Sequence, residues 1–129
     1  MIVGLGMDVV EVARIRRILG GPTGIAARFL ARVFTDAERR YCDGFRDRAA
    51  RYAARFAAKE ALSKALGAPG GIGWLEVEVV RPEGVPALVL RGAAAETAGK
   101  LGATRTHLTL THDGGIAAAA VVLESRRGG

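Results

Sequence analysis

Two carboxylates stand where an uncompensated charge would be costly. Asp8 ends the hydrophobic stretch that opens with Ile2 and Val3, and Glu60 lies in the alanine-rich run from Phe56 to Ala65. Each needs a partner if the chain is to fold around it. A divalent cation shared between them is one such partner. Projected at 100° per residue, Ala53, Phe56, Ala57, Glu60 and Lys64 share one broad helix face, so the Glu60 carboxylate sits among methyl groups and a ring. Lys64, at i+4, can pair with Glu60 or reach an anion held by the cation. Arg55 and Lys59, also four apart, form a cationic strip on a neighbouring face. Two cationic rows beside one carboxylate suit a polyanionic ligand bridged by a metal.

Plainer readings use the same residues. Glu60 and Lys64 match an intrahelical ion pair worth a few tenths of a kcal/mol. Asp8-Val9-Val10-Glu11 matches a capping box, with Asp8 as the cap and Glu11 as the third helical residue. The metal reading favours Mg²⁺, because the candidate ligands are oxygens and few, and Mg²⁺ completes its shell with waters and substrate phosphates. His112 follows Leu108 and Leu110 in strand alternation and so faces the core side at a strand end, whereas His107 shares the Thr109 and Thr111 face. There is no Walker-type loop, no G-x-G-x-x-G after the first strand and no G-x-S-x-G elbow, which argues against P-loop, dinucleotide-binding and serine-hydrolase chemistry.

The elements that must position these groups are legible as periodicities. Residues 2–9 alternate as a strand, with Val3, Leu5 and Met7 on one face and Ile2, Gly4, Gly6 and Asp8 on the other. The glycine face invites close approach. A helix from Glu11 to Leu19 places Val12, Ile15 and Leu19 inward and Arg14, Arg16 and Arg17 toward solvent, and Gly20-Gly21-Pro22 ends it. A second, from about Ile25 to Val33, places Ile25, Phe29 and Val33 inward. Thr35-Asp36-Ala37-Glu38 is a capping box that opens a third. The long helix of about 47–66 stops at Gly67 with Pro69 beyond. Strands at 75–81 and 87–91 flank Pro82-Glu83-Gly84, a helix covers about 93–101, and strands at 106–111 and 116–124 flank Asp113-Gly114-Gly115. A frayed tail, 126–129, follows. The sum is α+β: a mainly antiparallel sheet packed against a long central helix.

A chain of 129 residues, half of them hydrophobic, holds one core, so residues 1–129 form one domain. Nineteen basic against thirteen acidic side chains give a net charge of +6, a field that attracts an anionic partner. One cysteine, Cys42, excludes an internal disulfide and a cysteine zinc cage, which fits a reducing cytoplasm. The opening residues lack the basic flank and length of a signal segment, and no apolar run is long enough to span a bilayer.

In combination the two acidic motifs are similar to the holo-acyl-carrier-protein synthase group of 4'-phosphopantetheinyl transferases. That group carries G-x-D near its start with V-E-x-x-R beside it, then F-x-x-K-E-A-x-x-K-A-x-G. Gly6, Asp8, Val10, Glu11 and Arg14 match the first. Phe56, Lys59, Glu60, Ala61, Lys64, Ala65 and Gly67 match the second. Residues 108–113 and the Ala/Val-rich strand after them resemble the family's end. The resemblance implies transfer of the phosphopantetheine arm of coenzyme A to a serine of an acyl carrier protein, releasing 3',5'-ADP, with Mg²⁺ at the pyrophosphate. It implies Asp8 and Glu60 as metal ligands, Lys64 as a contact to the leaving phosphate, and Arg55, Lys59, Ser63 and Gly67 as coenzyme A contacts. Arg14 and Arg17 become a docking surface for an acidic carrier protein, and a homotrimer with interfacial active sites is expected. Asp8, Glu60, a metal-bound water and His112 are all candidate acceptors of the serine proton. A small basic nucleic-acid-binding module is the competing class; it lacks an aromatic platform. A purely structural trimerisation domain is a third.

Overall fold

The computed structural model describes residues 1–126, so Arg127, Gly128 and Gly129 of the expected tail lie outside it. The chain runs β1 (Ile2–Glu11), α1 (Val12–Leu19), α2 (Thr23–Val33), α3 (Asp36–Asp43), α4 (Arg48–Ala65), β2 (Val77–Val80), β3 (Ala87–Leu90), α5 (Gly92–Lys100), β4 (Arg105–Asp113) and β5 (Ile116–Glu124). Two antiparallel ladders result: a three-stranded sheet in the order β1-β5-β4 and a separate β2-β3 hairpin. The Gly114-Gly115 turn closes β4 onto β5, and both glycines have positive φ, 57° and 81°, as a two-residue hairpin loop of matching twist requires.

Helix α4 lies across one face of the larger sheet. Its interior is almost all alanine: Ala53, Ala57, Ala58 and Ala61 are fully buried. Small side chains let the backbones meet. A Cβ added at Gly6 would sit 2.7 Å from the Ala65 amide nitrogen and inside the Ala61 carbonyl oxygen, and one at Gly4 would strike the Ala65 carbonyl. The close approach expected of the glycine face is therefore the helix itself. Register places Gly6 opposite Val121 and Asp8 opposite Ala119, with Leu110 beyond Ala119 and His112 beside Ala117. Asp8 and His112 thus share the helix-covered face. Side chains on the opposite face, Leu5, Met7 and Val9, are 69%, 62% and 53% exposed.

Local chemistry sets the helix ends. Thr35 and Glu38 form the expected capping box, and Asp47 caps α4 through the Ala50 amide at 3.3 Å. At its other end, Gly67 (φ +89°) bonds its amide to the Lys64 carbonyl, and Ala68 bonds back to Ser63 at 2.7 Å. That pair is a Schellman stop. Two expectations are corrected. The Asp8 capping box does not form, because β1 continues to Glu11 and α1 starts only at Val12; ladder pairing with β5 outcompetes a cap. Ile25 points outward, half exposed, while Ala26 takes the inward place, because Ala26 lies about 20° around α2 from the buried Val33 and Ile25 about 80°.

Candidate functional site

The facing of β1 and α4 delivers the two acidic motifs to one edge. Lys64, on the last turn of α4, donates from Nζ to Asp8 Oδ1 at 3.0 Å and to the Met7 carbonyl at 3.1 Å. The anticipated Glu60–Lys64 pair is replaced by this cross-element bridge, since the strand lies nearer the ammonium than the preceding turn does. Asp8 is only 15% exposed, and Lys64 is 53% exposed. Among the described residues Glu60 makes no hydrogen bond or ion pair. Half-buried, it borders a cleft with Ser63 and Lys59 on the helix side and Pro69, Ile72, Gly73 and Trp74 opposite. Gly67 sits at the helix stop beside Pro69.

Lys59 and Arg55 do not form an open cationic strip. Their positions on α4 turn them inward. Lys59 Nζ donates to Glu38 Oε1 (2.8 Å), the Trp74 carbonyl (3.0 Å) and the Val77 carbonyl (2.6 Å). All three of its protons are used. Burial pulls its pKa down and the facing Glu38 opposes this. Arg55 is buried, its guanidinium 4.2 Å from the Tyr41 ring centre, and its Nε is a buried donor without a partner among the described residues. Such a donor is costly unless something accepts from it. Arg55 lines a second recess with Arg51, Arg81, Thr111 and His112, and three arginines in one lining suit an anion.

Arg14 is exposed on α1, its guanidinium 5.8 Å from the Phe56 ring. Phe56 in turn stacks on Trp74 at 5.1 Å, so Arg14 connects through Phe56 to the Trp74 wall of the Glu60 cleft. Arg17 is exposed farther along the same helix. Arg28 and Arg32 border an open hollow with Ile25 and Phe29 on α2.

A model of the 4'-phosphopantetheinyl transferase superfamily matches residues 4–120. The chain belongs to that superfamily. The match spans both acidic motifs, β4 and the first half of β5. The holo-[acyl-carrier-protein] synthase of Anaeromyxobacter dehalogenans strain 2CP-1 is 67% identical over 124 residues, covering 96% of this chain and 97% of that one. Among solved structures, the holo-(acyl-carrier-protein) synthase of Bacillus anthracis in complex with CoA (3',5'-ADP) superposes with a TM-score of 0.76 at 35% identity, covering 97% and 98% of the two chains. The Helicobacter pylori synthase in complex with coenzyme A gives 0.78 at 28% identity, over 93% and 99%. As a phosphopantetheinyl transferase, the chain has parts of its site that its motifs left unannounced. Trp74, Ile72 and Gly73 form the cleft wall from outside both motifs, and the single tryptophan beside a glycine-rich loop was the available signal. Arg51 and Arg81 join the recess only through the fold. Glu38 was legible as a capping residue, but its bond to Lys59 spans 21 residues.

Proposed function

We propose that this chain transfers the 4'-phosphopantetheine moiety of coenzyme A to a serine of an apo acyl carrier protein, in a Mg²⁺-dependent reaction that releases adenosine 3',5'-bisphosphate. The observation that carries this reading is the meeting of Asp8 and Lys64 at 3.0 Å across β1 and α4, with Glu60 one turn away facing an open cleft, in a chain of this superfamily. The serine oxygen forms a bond to the phosphorus bearing the pantetheine. The bond from that phosphorus to the bridging oxygen breaks, and its electron pair leaves with the adenosine bisphosphate. Such a transfer needs alignment and charge neutralisation more than a protein nucleophile.

The donor set fits a hard cation. Asp8 and Glu60 offer carboxylate oxygens, no cluster of three or more ligating side chains exists among the described residues, and Mg²⁺ characteristically takes one or two carboxylates with substrate phosphates. When bound, it would polarise the pyrophosphate. Lys64 then turns from Asp8 toward the leaving phosphate, and its exposure leaves room for that swing. Ser63 borders the same cleft. The recess of Arg51, Arg55, Arg81 and His112 suits a further phosphate of coenzyme A, and this supports an anion-holding task for His112 in preference to proton transfer. The serine proton goes to Glu60, which lines the cleft, or to Asp8, which Lys64 bridges one turn away. Lys59 contributes from inside the protein, not as a direct contact.

Arg14 and Arg17, exposed on α1, with Arg28 and Arg32, exposed on the adjoining α2, suit an acidic carrier protein, charge steering encounter. The exposed apolar face of β1 supports burial against other copies of the chain in a homotrimer. No helix among the described residues is long and apolar enough to cross a membrane, and a cytoplasmic setting in fatty acid biosynthesis completes the reading. The test is mass spectrometry of an apo carrier protein incubated with the chain, coenzyme A and Mg²⁺. A gain of one phosphopantetheine, lost with EDTA, is expected. No gain across several carriers would overturn it.

A further inference from the structure

The cleft beside Glu60 has one wall on α4 and another on the segment that follows a glycine-rich loop. Regular structure does not hold that second wall: Gly67, Ala68 and Gly71 all take positive φ, and the wall resumes order at the single 3₁₀ turn Trp74–Glu76. Beside the Phe56–Trp74 stack and the Glu76 carboxylate's bonds from the Gly73 and Ala93 amides, a buried charge grips it from the helix side. Lys59 bonds the carbonyls at both ends of the Trp74–Val77 step, at 3.0 and 2.6 Å. Its third bond goes to Glu38, whose carboxylate also accepts from the Thr35 amide at 2.9 Å and the Val79 amide at 2.8 Å. The side chains of Lys59 and Glu38 are 1% and 0% exposed. Three elements, α3, α4 and the start of β2, thus converge on one buried ion pair.

Resting on the reading that this cleft receives coenzyme A, we infer that Lys59 is a positioning residue: through the Glu38-anchored ion pair it fixes the Trp74–Val77 wall at its distance from Glu60, and so sets how tightly coenzyme A is received without touching it. Lys59 and Glu60 are neighbours on α4 about 100° apart. One therefore grips the wall while the other faces the opening. An apolar residue at 59 would fill the same volume but take the ammonium from the Trp74 and Val77 carbonyls and leave the buried Glu38 carboxylate with amide donors alone and no countercharge. The wall would then sample displaced positions. A substrate that binds only the ordered form pays for the disordered fraction in apparent affinity, while the filled site, whose Asp8, Glu60 and Lys64 are held by β1 and α4, keeps its chemistry.

The experiment compares wild type with Lys59→Met and with the charge-neutral pair Glu38→Gln/Lys59→Met, which retains packing without a lone buried charge should the single variant fail to fold. Cooperative thermal unfolding by circular dichroism establishes folding. The expected result is a rise of about tenfold in KM for coenzyme A with kcat changed less than about twofold and KM for the carrier unchanged. Trp74, the one tryptophan, supplies a direct readout. Its emission shifts to the red and its quenching by acrylamide grows, and saturating coenzyme A reverses both. A folded variant with unchanged KM and unchanged Trp74 emission overturns the inference, as does one whose kcat and kcat/KM fall equally with Trp74 undisturbed. Absence of transfer by wild type itself would overturn the functional reading, and Trp74 quenching would still decide the anchoring.

Discussion

Lys64 separates stability from activity at a single residue. Its bridge to Asp8 is half exposed, so Lys64→Ala should cost less than about 1 kcal/mol of folding stability. Its proposed charge on the leaving phosphate is realised only during transfer, so kcat should fall about a hundredfold. Thermal unfolding beside turnover measures the two, and parallel losses would refute the assignment. Glu60→Gln should be more damaging to turnover still, with the same fold. Cys42 behaves oppositely: fully buried, its thiol is pushed up to about 12 by burial. It should resist iodoacetamide at pH 8 in the native protein and react promptly in denaturant, as mass spectrometry would record.

Helix α4 and strand β1 meet backbone to backbone, so their glycines carry a cost that hydrophobicity alone conceals. Gly6→Ala would force the strand off the Ala61 carbonyl; about 1–3 kcal/mol of stability should be lost. Activity should fall further than stability, because Asp8 lies two residues along the displaced strand. Chemical denaturation and turnover of this variant test both parts. The junction of α3 with β2 makes a separate demand. Glu78 accepts from Thr35 Oγ1 at 2.6 Å and Arg91 at 3.0 Å, and these bonds hold its carboxyl below the ordinary 4.5, the Thr35 bond foremost. A depressed carboxylate pKa adds stability that is present above pH 4.5 and is lost as pH falls through the lowered value. Stability should therefore decline in that acid window, and Glu78→Gln should flatten the decline measured by urea titrations across pH.

For the whole molecule, helices cover one side of the β1-β5-β4 sheet and leave the other open. Leu5, Met7 and Val9 project from that open side, beside a shallow apolar hollow lined by Thr109, Ala118 and Ala120. A charge placed centrally there, as in Leu5→Asp, should split the proposed trimer into monomers in sedimentation velocity. If interfacial sites are correct, coenzyme A turnover falls with it while the monomer retains its circular dichroism. A variant still trimeric would exclude this face as the contact.

Periodicity and stop signals made most elements legible: the Thr35 capping box, the Gly67 stop and the Gly114-Gly115 turn all depend on residues within a few positions of one another. That Asp8 and Glu60 belong to one candidate site was an expectation of the sequence, and the meeting of β1 with α4 through Lys64 and Asp8 is consistent with it. Which cation served which carboxylate was not legible. Helical spacing joined Glu60 to Lys64 and put Lys59 beside Arg55 at the surface, whereas the folded chain joins Lys64 to Asp8 across 56 residues and buries Lys59 on Glu38. Local sequence determines φ/ψ preferences, caps and which face is apolar. The partner of a long charged side chain is decided by whichever distant backbone or carboxylate the packed glycines and alanines bring within about 3 Å, and only the tertiary structure brings them there.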